Sequence, residues 1–280
     1  MRWKPCASAG ARASPPSLSA PDIPRSRGPR PFVAPLARAL DVLAAFGIRD
    51  RALGNRELAA RTGLPPSTVS RITRTLLALG YLLHDGPARR YRLAPAVLSL
   101  GYGAAADSNI PQAAAPRMQA FAARHDTLVT LHARDRLQMV LVGRFQPAPS
   151  SAPPLLEAGM RVGLASFPIG GTLLAALPET ERYYLFEKIE RRARRDWQTL
   201  RRLLGESISQ VHDKGFCAGP AQWDPNLGIV SAPLAAVGQA PLVLSCIGPA
   251  ARLSRIRVER ELGPHLAAMS REICQSLLTP

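Results

Sequence analysis

Residues 55–79 read NRELAARTGLPPSTVSRITRTLLAL, and the way this stretch stops and restarts decides the fold. Asn55 suits the cap of a short helix, Arg56 to Arg61, because its side-chain oxygen can satisfy an end N–H. Thr62-Gly63-Leu64 breaks that helix, since Gly63 can take the left-handed conformation that closes a helix C-terminus. Pro65 and Pro66 suit the start of a second helix, where a missing N–H does no harm. Small Ala59 and apolar Val69 flank the break and allow the two helices to cross closely.

The second helix divides into two sides. At about 100° per residue, Val69, Ile72, Leu76 and Leu79 cluster on one. Ser67, Ser70, Arg71 and Arg74 lie roughly opposite, and Thr68 joins them as a candidate DNA contact. Arginine can read guanine edges or hold phosphates, and Ser or Thr can do either, so this side suits a major groove. A solvated amphipathic helix has the same two-sided pattern. The break before it and the hairpin after it favour the groove reading. In that hairpin, Tyr81 to His84 and Arg90 to Leu93 alternate like strands around the turn Asp85-Gly86-Pro87-Ala88. Arg89 and Arg90 fall at or near its tip, within reach of phosphate or a minor groove, or else exposed as plain edge charges.

Outside this region the composition narrows the classes. Lys plus Arg is 36 against 20 Asp plus Glu, a net charge of +16 carried almost entirely by Arg. Such a surplus favours an anionic partner, nucleic acid or membrane surface, although Arg-rich codon usage gives the same excess. No stretch approaches the roughly 18 apolar residues of a membrane span, no terminal basic amphipathic helix offers membrane binding, and no secretory signal opens the chain. A cytoplasmic protein is therefore expected. The four cysteines form no CxxC pair and the five histidines no ligand pattern, so neither metal nor cofactor is expected. The chain contains no GxSxG elbow, P-loop or dinucleotide fingerprint, which argues against an enzyme.

The chain divides into four parts. Residues 1–34 hold six basic residues against one acid among Pro, Ser and Ala, and read as a disordered basic tail. That tail either adds non-specific DNA affinity or reflects a start assigned too far upstream. Residues 35–94 form the DNA-binding part, residues 95–109 a helical connector, and residues 110–280 a mixed α/β region. Within the last, helices are expected at Pro111–Arg124, Gly170–Leu177, Pro178–Arg192, Trp197–Asp213 and Ser254–Leu278. Strands are expected at Thr127–Ala133, Gln138–Arg144, Gly228–Ala235 and Leu242–Ile247, with a Pro/Ser loop at Pro147–Pro154. The basic run Arg191-Arg192-Ala193-Arg194-Arg195, with Arg201 and Arg202, reads as a solvated face or oligomer contact rather than a second DNA site.

Read in this way, the chain resembles the IclR (isocitrate lyase regulator) family of bacterial transcription factors. The matching stretches are Leu36–Leu43, Glu57–Leu64, Ser67–Arg71, Leu79-Gly80-Tyr81 and Tyr91-Arg92-Leu93. The likeness continues through Pro168–Ala175, Lys214-Gly215-Phe216, Val230–Leu234 and Gly248–Ser254, in order, over about residues 34–278. The resemblance implies an α+β architecture: an N-terminal winged helix-turn-helix, a linker helix, and a C-terminal GAF-like α/β effector domain. It implies a homodimer or dimer of dimers on a palindromic double-stranded DNA operator, with a small-molecule effector. The linker Pro95 to Asn109 would pair with its twin and set two recognition helices in successive major grooves.

The same resemblance locates an effector site at Pro168, Ile169, Gly170, Gly171, Trp223, Asp224, Gly228, Ser245 and Ile247. Members that bind small oxo acids commonly carry a polar residue where Gly228 falls, a carboxylate near Ala218 and a second serine where Ile247 stands. Their frequent Lys is here Gly171. These departures imply a less polar, more aromatic pocket, and so an aromatic or larger organic acid. The backbone N–H groups of Gly170 and Gly171, at a helix start, would meet its anion. Trp223 serves equally well as core.

Overall fold

The computed structural model describes residues 33–47, 50–86, 89–106, 109–147 and 156–277. The expected basic tail lies outside them except for its last two residues, as does all but the first residue of the Pro/Ser loop. The chain separates into two compact units, residues 1–103 and 104–280.

The first unit contains α1 (Ala34–Ala44), α2 (Asn55–Thr62), α3 (Pro66–Ala78), β1 (Leu82–Asp85) and β2 (Arg90–Leu93). Gly63 ends α2 in the left-handed region at φ 69°, its N–H donating to the Ala59 carbonyl at 2.9 Å. Val42, Leu53, Leu58, Val69, Leu76 and Leu82 form the buried core. Two expectations need correction. The N-cap of α2 is Gly54, and Asn55 is the first helical residue. Leu79 is exposed because α3 ends at Ala78, and Thr73 takes the buried place on that face. The antiparallel hairpin β1–β2 forms the wing, and Leu53 pairs with Tyr91 to add a third edge to it. Arg61 binds both carboxylate oxygens of Asp50 and the Ala45 carbonyl, which ties the end of α1 and the following loop to α2.

The helix α4 (Pro95–Ala106) contains the division between the units. The second unit continues with α5 (Asn109–His125), β3 (Leu128–Asp135), β4 (Gln138–Phe145), β5 (Arg161–Gly163), α6 (Ile169–Ala176), α7 (Glu179–Ala193) and α8 (Trp197–Lys214). Then come β6 (Cys217–Ala221), β7 (Asp224–Leu234), β8 (Leu242–Pro249), α9 (Arg255–Arg257), a π turn (Val258–Leu262) and α10 (Gly263–Ser276). The strands form one antiparallel sheet in the order β5-β4-β3-β8-β7-β6.

Alternation along the strands gives the sheet two apolar faces. Val129, Leu131, Val230, Leu244 and Cys246 pack with Met118 of α5 and with Leu266 and Ile273 of α10. Leu128, Leu141, Ile229, Val243 and Ile247 pack with Ile169 and Leu173 of α6, Leu185 of α7 and Leu204 of α8. Sequence periodicity did not reveal β5 or β6. The first has only three residues, and the second holds Gly219 and Pro220, which a strand tolerates at a sheet edge. The expected single terminal helix is interrupted by the π turn.

Candidate nucleic-acid interface and effector site

On α3, Ser67, Arg71 and Arg74 are exposed, and Thr68 and Ser70 are half-buried beside them. Neither guanidinium has an ion-pair partner among the described residues. The opposite side carries Val69, Thr73 and Leu76, all buried. The result is one strip of hydroxyls and two exposed cations, held by a packed helix. Asn55 contributes in a way the sequence did not reveal: its Nδ2 donates to the Ser70 Oγ at 3.0 Å, across the helix crossing. Ser70 thus accepts from inside and keeps its own O–H to donate outward.

The two wing arginines separate in role. Arg89 is exposed and lies at φ 48° in the turn. Arg90 folds back onto its own unit. Its Nε and Nη2 donate to the Ala52 carbonyl at 3.2 and 2.8 Å, and Nη2 binds Glu57 at 2.8 Å. The Glu57 carboxylate also accepts the Gly54 N–H at 2.7 Å; this bond, with Arg90 adding to it, holds its pKa below the usual range. In the chain without DNA, Arg90 is therefore a strut between wing and α2.

At the start of α6, Pro168, Ile169, Gly170 and Gly171 are all buried. The Gly170 N–H donates to the Ser166 carbonyl at 2.8 Å, so it is already engaged and does not meet an anion. Both glycines permit close approach. A Cβ at Gly170 would lie 1.7 Å from the Leu164 carbonyl oxygen, and one at Gly171 would lie 2.2 Å from the Ser207 Cβ of α8. Ile247 packs on the α6 side of the sheet, and Ser245, two residues earlier on β8, shares that side. Trp223 packs half-buried against the same cluster, and its buried Nε1 has no hydrogen-bond partner. Asp224 accepts the Asn226 N–H at 2.9 Å and so shapes the irregular start of β7. Gly228 departs from the expected constellation. It faces the other side of the sheet, where a Cβ would lie 2.7 Å from Leu253.

The α6 side of the sheet is also more polar than the sequence implied. Thr130 of β3 pairs with Ser245 of β8, which pairs with Ser231 of β7. The Ser231 and Ser245 hydroxyls lie 2.9 Å apart, and Thr130 Oγ1 donates to the Ser245 carbonyl at 3.3 Å. His132 follows two residues after Thr130 on the same side and is 3 % exposed. Burial pushes its pKa down to about 4, so the ring is neutral. Alternation from Ser245 through the strand register points to these residues, but register is not readable from one sequence.

Elsewhere the buried thiols of Cys217 and Cys246 are pushed up to about 11 and 12 by burial, which keeps them protonated. Arg191, Arg192, Arg194, Arg195, Arg201 and Arg202 are exposed where α7 meets α8, with Arg191 3.6 Å from Glu187 and Arg202 2.9 Å from Glu206. No helix among the described residues is long and apolar enough to cross a membrane.

Comparison with known proteins agrees with this geometry. Residues 35–86 match the IclR helix-turn-helix domain, and residues 103–275 match the bacterial transcriptional regulator IclR C-terminal domain. The HTH-type transcriptional regulator TsaQ1/TsaQ2 of Comamonas testosteroni is 30% identical over 86% of this chain and 87% of its own. The crystal structure of an IclR family transcriptional regulator from Brucella abortus superposes with a TM-score of 0.77 at 36% identity, covering 89% of this chain and 93% of that one. An IclR homologue from Microbacterium hydrocarbonoxydans, solved in complex with 4-hydroxybenzoate, shares the fold with a TM-score of 0.65 at 20% identity, covering 87% and 100%. The chain belongs to the IclR family of DNA-binding transcriptional regulators.

Proposed function

We propose that this regulator reads a palindromic operator with the outer side of α3. Ser67, Thr68, Ser70, Arg71 and Arg74 enter the major groove, and Arg89 of the wing reaches phosphate or the minor groove. It acts in the cytoplasm as a homodimer or dimer of dimers, with the linker Pro95–Asn109 pairing between protomers. A small organic acid, aromatic or of comparable bulk, binds on the α6 side of the sheet and changes operator affinity. The observation that carries the DNA reading is the division of α3: two exposed arginines, without ion pairs among the described residues, stand opposite buried Val69, Thr73 and Leu76. The effector reading draws support from Ile247, Ile169 and Trp223, which join in one apolar cluster beside Ser245. The 4-hydroxybenzoate bound by the Microbacterium protein, which shares the fold, points to the same class of ligand.

The test begins with the purified full chain, used to select its operator from random duplexes. Operator and scrambled duplex are then compared by fluorescence anisotropy at one fixed salt concentration, for the wild type and Arg71→Ala. Loss of a base-reading arginine is expected to lower the discrimination by about 1–3 kcal/mol. A uniform loss on both duplexes would instead make Arg71 a phosphate contact, and an unchanged ratio with unchanged affinity would remove it from the interface.

A further inference from the structure

We propose that His132 is the polar anchor of the effector site and takes a hydroxyl group of the ligand, which makes the effector a hydroxy-substituted aromatic acid. The inference rests on the effector reading above and gives it a named atom.

The α6 side of the sheet is apolar around His132: Leu141 and Val243 are its cross-strand partners, and Leu128 and Ile247 lie further along the same strands. Against this background stands a row of polar side chains on three neighbouring strands. Thr130, Ser245 and Ser231 satisfy one another, through the hydroxyl–hydroxyl contact at 2.9 Å and the Thr130 bond to the Ser245 carbonyl. His132 does not share in that economy. Its Nδ1 is buried and closes no hydrogen bond among the described residues; the Val243 backbone lies near the ring and offsets part of the effect of burial without closing such a bond. Polar atoms buried in proteins are nearly always paired, and an orphan calls for a partner that the folded chain does not itself supply.

The chemistry of that partner follows from the ring. A buried imidazole surrounded by aliphatic side chains stays neutral, as the lowered pKa of His132 agrees. A neutral ring offers one N–H and one lone pair, and no cation for a carboxylate. A hydroxyl satisfies Nδ1 in either tautomer, because an O–H both donates and accepts. The neighbouring Leu141 and Val243 suit the flat apolar body of an aromatic ring rather than a chain of polar carbons.

The experiment uses the intact protein, with benzoate and the three monohydroxybenzoates as probes, followed by titration calorimetry. At least one hydroxybenzoate is expected to bind the wild type about tenfold more tightly than benzoate, the worth of one well-made buried hydrogen bond. In His132→Leu that preference is expected to fall within about twofold, and His132→Gln, which keeps a hydrogen-bonding head, retains part of it. A second readout needs no variant. The Nδ1 resonance of His132 in histidine labelled with nitrogen-15 is expected to move with the preferred hydroxybenzoate and not with benzoate. A preference that survives His132→Leu, or an unmoved resonance in a saturated complex, overturns the role of His132 alone. Failure of all four acids to bind the wild type overturns the effector reading and this inference with it.

Discussion

Gly170 and Gly171 sit side by side at the start of α6, and their missing side chains leave room for different things. At Gly170 a Cβ would meet backbone, the Leu164 carbonyl oxygen at 1.7 Å, and Leu164 is itself held by its N–H bond to the Leu137 carbonyl at 2.8 Å. At Gly171 it would meet a side chain, the Ser207 Cβ and Oγ. Backbone cannot yield and a serine can be removed. Gly171→Ala is expected to cost about 1–3 kcal/mol through overpacking, with roughly half restored by adding Ser207→Gly. Gly170→Ala is expected to cost more and to resist that rescue; denaturant midpoints of the full chain give the comparison. Adjacent glycines at a helix start signal close approach, but not to what. The sequence suggested an anion for both backbone N–H groups; the Gly170 N–H is taken by the Ser166 carbonyl, and the room left by the two missing side chains is filled by a carbonyl and a helix. His132 was missed for the opposite reason. An isolated histidine on an apolar strand carries no local signal, and the role proposed for it rests on its burial and its unpartnered Nδ1, which only the folded strands reveal.

The helix α3 was legible almost in full, because its determinants are local. Pro65 and Pro66 fix its start, and the apolar spacing from Val69 to Leu76 fixes its buried side. The misplacement of Leu79 has a simple cause: an apolar count cannot see Thr73, a small residue whose hydroxyl is satisfied by the Ser70 carbonyl at 3.2 Å. The engagement of Arg90 was not legible because its partners, Ala52 and Glu57, are more than thirty residues away. The same unit depends on a second long connection. Asp50 is bound by Arg61 and by the Gly47 N–H, which together with the nearby charge hold its carboxyl below the usual range. A carboxyl depressed in the folded state stabilises fully above its unfolded value, about 3.9, and the contribution is lost as pH falls through the lower folded value. Asp50→Asn is therefore expected to destabilise the unit by about 1–2 kcal/mol at neutral pH. Thermal melts from pH 7 down to pH 2 should show wild type and variant converging at the acid end. A constant gap across that range would mean that the ion pair is not what Asp50 contributes.

At the scale of the whole molecule, the order of motifs was more legible than the sheet that carries them. Stretches from Leu36 to Ser254 fall in family order across both units, and the two family matches follow them. The central strands β3, β4, β7 and β8 were found, since their apolar runs are long, but the edge strands β5 and β6 were not. The proposed pairing of the linker makes a geometric demand on the DNA. Two recognition helices related by a twofold axis read half-sites about 34–36 Å apart. Inserting five base pairs between the half-sites turns one to the far side of the duplex, and affinity is expected to fall at least about tenfold, as measured by gel shift; unchanged affinity would speak for independent protomers. The most direct test of the account couples its two ends. Operator affinity of the full chain is measured at constant salt with and without saturating hydroxybenzoate, and with pyruvate as a short oxo acid. The account predicts a shift of about 5- to 150-fold with the aromatic acid and little with pyruvate. An affinity unmoved by an aromatic acid shown to be bound, or moved by pyruvate alone, would contradict it.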